Sequence, residues 1–310
     1  MKIGYFADGP WAHRALDAIL ADGHFDVRFL VLRFASPDPV LRAAAARLER
    51  PCHIVPDVND GQFVRTVAAA GADLLVSMSF DRILGRALLA AAPLGCINCH
   101  AGALPFYRGR NVLNWALING ERSIGVTVHH VDEGIDTGDI IEQDFFEVTG
   151  EDDYASVLEK AYSQCALTLL KALHGLRNAT ARRTPQSAIH PVGSYFPRRA
   201  AGDEWIDWSW PSERIHNFVR AIAPPGPGAR TFLRGQCVAV LNTRLIARAP
   251  TFLATPGAVI GREPGAIWVK SGDSFLALVR LARVADAGHV HQELPLPSIG
   301  ARFSNEVTRA

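Results

Sequence analysis

The stretch that decides the fold is DLLVSMSFDRILGRALLAAAPLGCINCH, residues 73–100. Its two ends, Asp73–Met78 and Gly95–Cys99, are short apolar runs of the length that is typical of buried strands. Between them, Arg82–Ala92 has helical apolar spacing and ends before Pro93. A strand, a helix and a second buried strand in succession predict a parallel βαβ unit. We therefore expect an α/β domain built around a mainly parallel sheet.

The same alternation continues on both sides of this segment. The predicted strands are short apolar runs, at Lys2–Phe6, Asp26–Leu32, His53–Val55, Ser123–Val131 and Asp139–Val148. The predicted helices have apolar residues at helical spacing, at Trp11–Ala21, Asp38–Glu49, Asp60–Ala70, Val112–Asn119 and Asp152–Leu176. In such a Rossmann-like sheet, ligands bind at the carboxyl ends of the strands, so functional side chains are expected at that edge.

The pattern changes in the C-terminal third of the chain. Residues 177–203 are irregular and basic, and we interpret them as a linker. A helix is predicted over Pro211–Ile222, and between residues 231 and 283 short strand-like runs alternate with Gly/Pro turns. We therefore predict an N-terminal α/β domain over residues 1–185 and a smaller C-terminal β-barrel-like (OB-like) domain over residues 203–310.

Composition excludes several classes of protein. The 310 residues carry 32 Lys and Arg against 31 Asp and Glu, so the net charge of +1 gives no sign of a nucleic-acid-binding surface. Five cysteines are too few for a disulfide scaffold and are consistent with a reducing cytoplasm. Residues 87–107 lack charged side chains, but prolines, glycines and polar residues interrupt them, and the N-terminus has no signal-peptide pattern. We expect a soluble, cytoplasmic protein without a membrane segment.

Three polar residues are candidates for catalysis at the predicted strand edge. Asn98 and His100 lie two positions apart at the end of a strand, so both side chains face the same way. An amide and an imidazole on one face can polarise a carbonyl oxygen and move a proton. Asp136, in the turn GIDTGD, is placed to orient His100 and raise its proton affinity. Taken singly, each of the three is also an ordinary turn or surface residue.

Other chemistry is not indicated by the sequence. The glycines after the first strand do not match the G-x-G-x-x-G pattern of dinucleotide binding, and no P-loop or G-x-S-x-G motif is present. His129 and His130, which face opposite sides of a predicted strand, and the scattered cysteines lack the spacing of metal ligands. We therefore expect no nicotinamide or flavin cofactor, no metal, and no functional role for these two histidines.

The segment INCHAGALPFYRGRNVLNWALINGERSIGVTVHHVDEGIDTGDII, residues 97–141, resembles the folate-dependent formyltransferases. That family shares an Asn-x-His strand end, a small-x-Leu-Pro loop, a Tyr-Arg-Gly stretch, a Gly-Val/Ile-Thr strand and the acidic turn Gly-Ile/Leu-Asp-Thr-Gly-Asp. The resemblance covers about residues 1–175 and continues more weakly into YFPRR (195–199), IDW (206–208) and RAIAPPGPGAR (220–230). It implies a Rossmann-like catalytic domain followed by a small barrel domain.

The resemblance also implies a reaction and the residues that perform it. A formyl group moves from N10-formyltetrahydrofolate, the co-substrate, to a primary amine, without a metal. By motif, Asn98 stabilises the formyl oxygen, and His100, held by Asp136, assists removal of the amine proton. The proton acceptor itself stays open, since a water could relay the proton. The residues expected beside the folate are Phe80, Arg82, Ile83, Leu84, Arg110, Asp132, Glu133, Gly134 and Ile135.

Two acceptors are compatible with the family. The methionyl-tRNA enzymes carry a basic, Gly-rich insertion after the second strand, whereas residues 33–50 here have the pattern of an ordinary helix. The segment HAGALPFYRGRNVLNWALING, residues 100–120, is particularly similar to sugar N-formyltransferases of cell-surface polysaccharide (lipopolysaccharide O-antigen) pathways. We therefore expect a nucleotide-linked amino sugar, such as a 4-amino-4,6-dideoxy sugar, and no nucleic acid. The expected acceptor contacts are Tyr107, Arg108, Asn111, Trp115 and Tyr195.

Two further expectations follow from the resemblance. Members of the family commonly dimerise, so a homodimer is expected. A catalytically silent folate-binding relative is an alternative from another functional class, but the intact Asn98, His100 and Asp136 favour an enzyme.

Overall fold

The computed structural model describes residues 1–284 and 290–305. In the first two thirds of the chain, strands and helices alternate, as the sequence predicts. The strands are β1 (Lys2–Ala7), β2 (Asp26–Val31), β3 (Cys52–His53), β4 (Leu74–Met78), β5 (Cys96–His100), β6 (Arg108–Gly109), β7 (Ser123–His130), β8 (Ile140–Glu147) and β9 (Tyr195–Phe196). The helices are α1 (Gly9–Asp22), α2 (Pro39–Arg47), α3 (Gly61–Ala69), α4 (Arg86–Leu89), α5 (Val112–Ile118), α6 (Tyr154–Arg177) and α7 (Gln186–Ile189).

Seven of these strands form one sheet, in the order β3-β2-β1-β4-β5-β7-β8. The first five run parallel, and β7 and β8 form an antiparallel pair at one end. The chain moves outward from β1 to β3 and then returns to β4 on the other side of β1, which creates a switch point in the strand order. Ligands bind at the carboxyl ends of strands near such a point. The mostly parallel, Rossmann-like sheet is confirmed.

The sheet is covered on both faces because alternate residues of each strand point to opposite sides. In β1, Ile3 and Tyr5 belong to an apolar cluster with residues of α1, α2 and α6, whereas Phe6 belongs to a cluster with residues of α3 and α4. Gly4 lets Phe29 pack closely, since a Cβ at this position would lie 2.3 Å from Phe29 Cζ. This two-sided core holds the strand ends in fixed positions.

Local capping explains where α2 begins. Asp38 Oδ1 accepts a hydrogen bond from the backbone nitrogen of Leu41 at 2.9 Å, and Pro39 is the first helical residue. The observed start of α2 agrees with the helix predicted from Asp38 onward.

The helix predicted over Arg82–Ala92 is wrong in its length, since α4 spans only four residues. The segment before it is held as a loop by Asn59. This side chain accepts a hydrogen bond from the backbone nitrogen of Gly85 at 2.6 Å and donates to the backbone oxygen of Ile83 at 3.0 Å. The loop places residues 80–85 at the carboxyl edge of β4.

The C-terminal part is built mainly from strands. Its elements are α8 (Ser212–Ala221), β10 (Ala229–Leu233), β11 (Gln236–Leu245), β12 (Val259–Glu263), β13 (Ala266–Lys270), β14 (Phe275–Val284), β15 (Val290–Leu294) and β16 (Phe303–Ser304). The strands form an antiparallel sheet in the order β12-β13-β14-β11-β10-β16, with β15 against β14. Trp208 is buried here, donates to Thr231 Oγ1 at 2.9 Å and stacks on Phe303. The predicted β-rich, barrel-like C-terminal fold is confirmed.

The chain divides into two compact units. The first comprises Met1–Val112, Ser123–Glu147 and Glu159–Phe196, and the second comprises Leu113–Arg122, Val148–Leu158 and Pro197–Ala310. The segment interpreted as a linker therefore contributes α7 and β9 to the first unit, while the domain ends at residues 185 and 203 stay predictions. Among the residues that the structure describes, no helix is long and apolar enough to cross a membrane.

Candidate active site

Asn98 and His100 lie on β5, close to the edge where the parallel strands end. The antiparallel pairing of β5 with β7 places Asn98 opposite His129 and His100 opposite Thr127. Residues that lie directly opposite each other in such a pair share one face of the sheet, as do residues two positions apart on a strand. Strand pairing therefore gathers an amide and two imidazoles on a single face.

Asp136 adds a carboxylate to this group. It lies in the turn between β7 and β8 with a φ of 55°, a left-handed conformation that is uncommon for a residue with a side chain. The backbone nitrogen of Gly109 donates to its Oδ2 at 2.9 Å. The same oxygen lies 3.7 Å from His100 Nδ1, and Oδ1 lies 3.6 Å from His129 Nε2. The carboxylate thus faces both imidazoles.

The hydrogen bonds of His100 define which nitrogen carries its hydrogen. Nε2 lies 2.7 Å from the backbone oxygen of Tyr107 and donates to it, because a carbonyl oxygen can only accept. Burial lowers the pKa of His100 from its ordinary value, while Asp136 and the Tyr107 carbonyl act in the opposite direction. Asp136 was expected to raise the proton affinity of His100; it acts in that direction, but burial outweighs it. At neutral pH, Nδ1 therefore has a free lone pair.

The Asp136 carboxyl is ionised at neutral pH. Burial raises the pKa of Asp136, but His100, His129 and the backbone N–H of Gly109 outweigh it and hold this pKa well below the usual range. An imidazolium that forms at His100 is stabilised by this nearby anion. The pair thus combines a neutral base with a carboxylate that stabilises its protonated form.

The structure places His129 beside Asn98 and Asp136, in the candidate site, although the sequence indicated no role for it. Its Nδ1 donates to the backbone oxygen of His130 at 2.8 Å, which leaves Nε2 as an acceptor. Asn98 Nδ2 donates to this Nε2 at 3.2 Å. Only the register of β5 with β7 places His129 opposite Asn98, and this register cannot be read from the sequence alone.

Gln186 is a second residue that sequence reasoning missed, because it lies in the segment interpreted as a linker. Its buried side chain donates through Nε2 to the backbone oxygens of Asp136 and Gly138, at 2.7 and 2.8 Å. Its Oε1 accepts from Nε and Nη2 of Arg108, at 3.0 and 2.7 Å. Gln186 therefore holds the backbone of the Asp136 turn and connects it to β6.

Of the residues predicted to contact folate, two pack against the core and the other seven are exposed. Phe80 and Leu84 pack onto the core, where the Phe80 ring lies edge-on to Phe6 at 5.5 Å. The exposed ones are Arg82, Ile83, Arg110, Asp132, Glu133, Gly134 and Ile135. Arg86, at the start of α4, pairs with Glu133 at 2.6 Å. This ion pair makes the 80–85 loop and the 132–136 loop neighbours, as a shared groove requires.

Four of the predicted acceptor contacts lie in the first unit: Tyr107, Arg108, Asn111 and Tyr195. Arg108 on β6 is paired with Tyr195 on β9, and the Tyr107 ring stacks on Phe196 at 4.8 Å. Arg108 also donates from Nη1 to the backbone oxygen of Val192 at 3.1 Å, in addition to its bonds to Gln186. The guanidinium of Arg108 thus has protein partners for three N–H groups, and the role of Arg108 as an acceptor contact stays a prediction.

Trp115 is the fifth predicted acceptor contact, and it belongs to the second unit. Its indole Nε1 donates to the backbone oxygen of Pro197 at 3.2 Å, and the Arg199 guanidinium lies over its ring at 5.3 Å. The structure therefore gives this ring a cation–π partner within its own unit.

Comparison with known families and proteins points to one class. Residues 33–173 match the family described as formyl transferase, and residues 200–287 match the formyl transferase C-terminal domain. The methionyl-tRNA formyltransferase of Pelotomaculum thermopropionicum is 31% identical over 310 residues, which cover 96% of this chain and 97% of that protein.

Two solved structures share the fold. The N-formyltransferase from Helicobacter canadensis, in complex with folinic acid and dTDP-3-aminofucose, superposes with a TM-score of 0.66 at 20% identity, over 94% of this chain and 99% of that one. WlaRD, a sugar 3N-formyl transferase solved in the presence of dTDP and 5-N-formyl-THF, gives a TM-score of 0.61 at 20% identity, over 96% of this chain and 99% of that one. At this identity the likeness concerns the fold.

Proposed function

The chain belongs to the formyl transferase family, and on that premise we propose that it transfers a formyl group from N10-formyltetrahydrofolate to the primary amine of a nucleotide-linked amino sugar. The observation that carries the chemistry is that Asn98 and His100 share one face of the sheet and that Asp136, from the β7–β8 turn, lies beside His100. An amide donor, a neutral imidazole and an ionised carboxylate are the groups that acyl transfer to an amine needs.

N10-formyltetrahydrofolate supplies the formyl group, and the residues present fit such a co-substrate. The two loops joined by Arg86 and Glu133 present apolar side chains, Ile83 and Ile135, which are 74% and 52% exposed. A flat ring system with hydrogen-bonding edges suits a groove between these loops, where backbone groups form hydrogen bonds with its edge. Arg110, whose side chain is exposed, is then proposed to pair with an anionic part of the folate.

Asn98 is proposed to stabilise the negative charge that develops on the formyl oxygen when the amine adds. One of its two amide N–H groups is used on His129, which leaves the other for the substrate. A donor that is already oriented costs no reorganisation during the reaction, and losing one such donor typically lowers the rate by on the order of 100-fold or more.

His100 is proposed to accept the proton that the amine must lose. Its Nδ1 is unprotonated at neutral pH, since burial lowers the pKa of His100 and Nε2 holds the hydrogen that bonds Tyr107. Asp136, 3.7 Å away, stabilises the imidazolium that results. His129 and Gln186 act as positioning residues, the first for the Asn98 amide and the second for the Asp136 turn.

The segment between β2 and α2 supports a nucleotide sugar as the acceptor. Its basic residue, Arg33, pairs with Asp8 at 3.0 Å and donates to the backbone oxygen of Ser79 at 2.6 Å. An enzyme that grips the acceptor stem of a tRNA here would need cations directed at phosphates, and this guanidinium is already paired. Two proteins that share the fold were solved with dTDP or a dTDP-linked sugar, which also supports this choice.

Methionyl-tRNA is the second candidate acceptor. The relative that is 31% identical over nearly its full length acts on it by name, and this favours the alternative. Residues 197–310 also contain 14 Lys and Arg against 9 Asp and Glu, so the near-neutral charge of the whole chain conceals a cationic C-terminal part. A cationic β-rich unit is suited to a phosphate backbone.

A turnover assay distinguishes the candidates. Purified protein is mixed with N10-formyltetrahydrofolate and one acceptor at a time, and release of tetrahydrofolate is followed. The acceptors are 4-amino-4,6-dideoxy sugars linked to dTDP, GDP or UDP, and methionyl-tRNA. We expect turnover with at least one nucleotide sugar and none with the tRNA, and the same acceptor with His100→Ala is the control for catalysis.

The other outcomes are equally informative. Turnover with methionyl-tRNA alone would establish the second candidate and reject the sugar. Folate binding without turnover on any acceptor would favour a silent folate-binding relative, the alternative from another functional class.

A further inference from the structure

Two histidines and an aspartate converge in the first unit, at the edge of the sheet where β2 begins. Asp22 is the last residue of α1, His24 follows after Gly23, and His174 lies in the last turn of α6. Asp22 Oδ1 lies 3.0 Å from His24 Nδ1, and Oδ2 lies 2.8 Å from His174 Nε2. One ligand atom from each residue lies within 4.8 Å of the other two. The parallel strands run away from this edge, so the trio is remote from the candidate active site.

The backbone around this trio is well held. Gly23 ends α1 with a φ of 75°, which turns the chain so that His24 faces Asp22. The backbone nitrogen of His24 donates to Asp22 Oδ1 at 3.3 Å, and its carbonyl oxygen accepts from the amino group of Met1 at 3.1 Å. The convergence therefore comes from secondary-structure ends, which hold the three Cα atoms in place.

The ring of His174 is also held by packing. His174 lies edge-on to the ring of Phe25 at 5.2 Å, and Phe25 is itself buried in the core. The two imidazoles lie 5.7 Å apart, in an edge arrangement. Such packing limits the directions in which His174 can present a nitrogen.

We propose that Asp22, His24 and His174 form a binding site for a divalent transition-metal ion, with Zn²⁺ as the best match. Two imidazole nitrogens and a carboxylate oxygen are a ligand set that zinc uses, with bonds of about 2.0–2.2 Å. Bonds of that length separate tetrahedral ligand atoms by about 3.4 Å. The 2.8 and 3.0 Å separations here run to different oxygens of Asp22 and would open by roughly half an ångström. All the ligand atoms already lie within 4.8 Å of one another, so side-chain rotation alone can bring them around one ion.

Exposure of the trio favours an ion that keeps water ligands. The side chains of Asp22, His24 and His174 are 19%, 53% and 35% exposed. An ion can therefore enter from solvent and complete its coordination with water. Such an ion links the end of α1 to the end of α6, so its expected effect is to stabilise the first unit.

A hydrogen-bonded clasp without metal is the competing explanation, because both rings can donate an N–H to Asp22. A second histidine–aspartate pair in the protein provides the comparison. His13 Nε2 lies 2.9 Å from Asp38 Oδ1, without a third side chain that completes a metal-binding group among the described residues. A metal site requires the full trio, whereas a hydrogen bond requires only a pair.

The test is a titration of untagged, chelator-treated protein with Zn²⁺ alone, by calorimetry and by thermal unfolding. We expect one tight site, and a Tm that rises by roughly 2–4 °C when Zn²⁺ is well above its dissociation constant. His24→Asn is the informative variant, because His24 is more than half exposed and its loss leaves the Asp22–His174 pair in place. It should weaken Zn²⁺ binding at least 10-fold and abolish the Tm rise.

His13→Asn is the matched control and should bind Zn²⁺ as the wild type does. Two results would overturn the proposal: no stoichiometric Zn²⁺ binding by the wild type, or binding that persists unchanged in His24→Asn and in His174→Asn. The second result would place the ion elsewhere. Formyl transfer does not enter this test, so the outcome is independent of the proposed function.

Discussion

Asn98 on β5 and His129 on β7 lie directly opposite each other, and the amide nitrogen of Asn98 donates to His129 Nε2 across 3.2 Å. His129 Nδ1 is bonded to the backbone oxygen of His130, so Nε2 is the acceptor nitrogen of the neutral ring. This relationship fixes the direction of the Asn98 amide, with its NH2 group toward His129. The second N–H is then held in one orientation, and the proposed mechanism uses it to bind the formyl oxygen.

Replacing His129 with Leu should lower kcat by about 10-fold, which is less than the loss of the Asn98 donor itself would cost. The amide loses its fixed acceptor and samples other orientations. The KM for N10-formyltetrahydrofolate should change little, because His129 lies outside the proposed folate loops. His129→Gln, whose side-chain oxygen can accept from Asn98, should recover part of the rate in steady-state assays.

His130→Gln is the matched control for this prediction. His130 follows His129 on the same strand and faces the other side of the sheet, so kcat should stay within about twofold of the wild type. An equal loss in His130→Gln and His129→Leu would show that β7 is disturbed as a whole and that Asn98 orientation is not the cause.

Asp136 should control the pH at which His100 acts as a base. The reaction needs neutral His100, so kcat/KM should fall as the pH falls through the pKa of His100, which burial places below its ordinary value. Asp136→Asn removes the anion that favours the imidazolium, so this acid limb should shift to lower pH. The rate should also fall by on the order of 100-fold. A pH–rate profile of both proteins measures the two effects.

Asp139→Asn provides the comparison, since Asp139 lies in the same turn but pairs with Arg183. In this variant, the acid limb of the pH–rate profile should stay at the wild-type pH, and kcat should stay at the wild-type value. An Asp136→Asn variant with a normal rate and an unshifted limb would remove Asp136 from the mechanism.

Much of the fold follows from local sequence patterns. Short apolar runs predict most strands of the parallel sheet, and Asp38 followed by Pro39 predicts the start of α2, because both signals act over a few residues. The proximity of Asn98, His100 and Asp136 was also expected from the sequence, since the motif that carries them is contiguous, and their catalytic role stays a prediction. The helix over Arg82–Ala92 failed because a side chain from a distant segment, Asn59, holds part of it as a loop.

The rest of the site depends on contacts between segments that are far apart in the chain. His129 becomes a partner of Asn98 only through the register of two strands. Gln186 donates to the backbone oxygen of Asp136, which lies 50 positions earlier in the chain. The segment that contains Gln186 has the composition of a linker. The approach of His174 to Asp22 spans 152 residues. No local pattern encodes such pairings, so they appear only once the backbone is folded.

Gln186 should matter more for activity than its distance from the reacting atoms indicates. Gln186→Leu leaves the backbone oxygens of Asp136 and Gly138 and the guanidinium of Arg108 without their partner. The free energy of unfolding should fall by about 1–3 kcal/mol, as is usual when buried polar groups lose hydrogen bonds. The displaced turn should also lower kcat by about 10-fold, measured beside a urea-unfolding curve.

Gln186→Glu separates the two sides of this contact. A carboxylate still pairs with Arg108 but cannot donate to the turn. It should therefore lose stability as well as activity, because one carboxylate oxygen would face the two carbonyl oxygens in a buried position. Wild-type kcat in this variant would show that the amide hydrogen bonds do not position Asp136.

His130 should make the stability of the protein sensitive to mild acid. Burial, with Arg183 acting in the same direction, lowers the pKa of His130 to about 4, and its buried Nε2 has no hydrogen-bond partner among the described residues. The unfolded chain takes up this proton near pH 6.5, whereas the folded chain resists it until about pH 4. The free energy of unfolding therefore has its full value above about pH 6.5, as far as His130 is concerned, and it decreases as the pH falls toward 4. Scanning calorimetry at several pH values across this window should show a smaller fall in Tm for His130→Gln than for the wild type, and parallel curves would contradict the prediction.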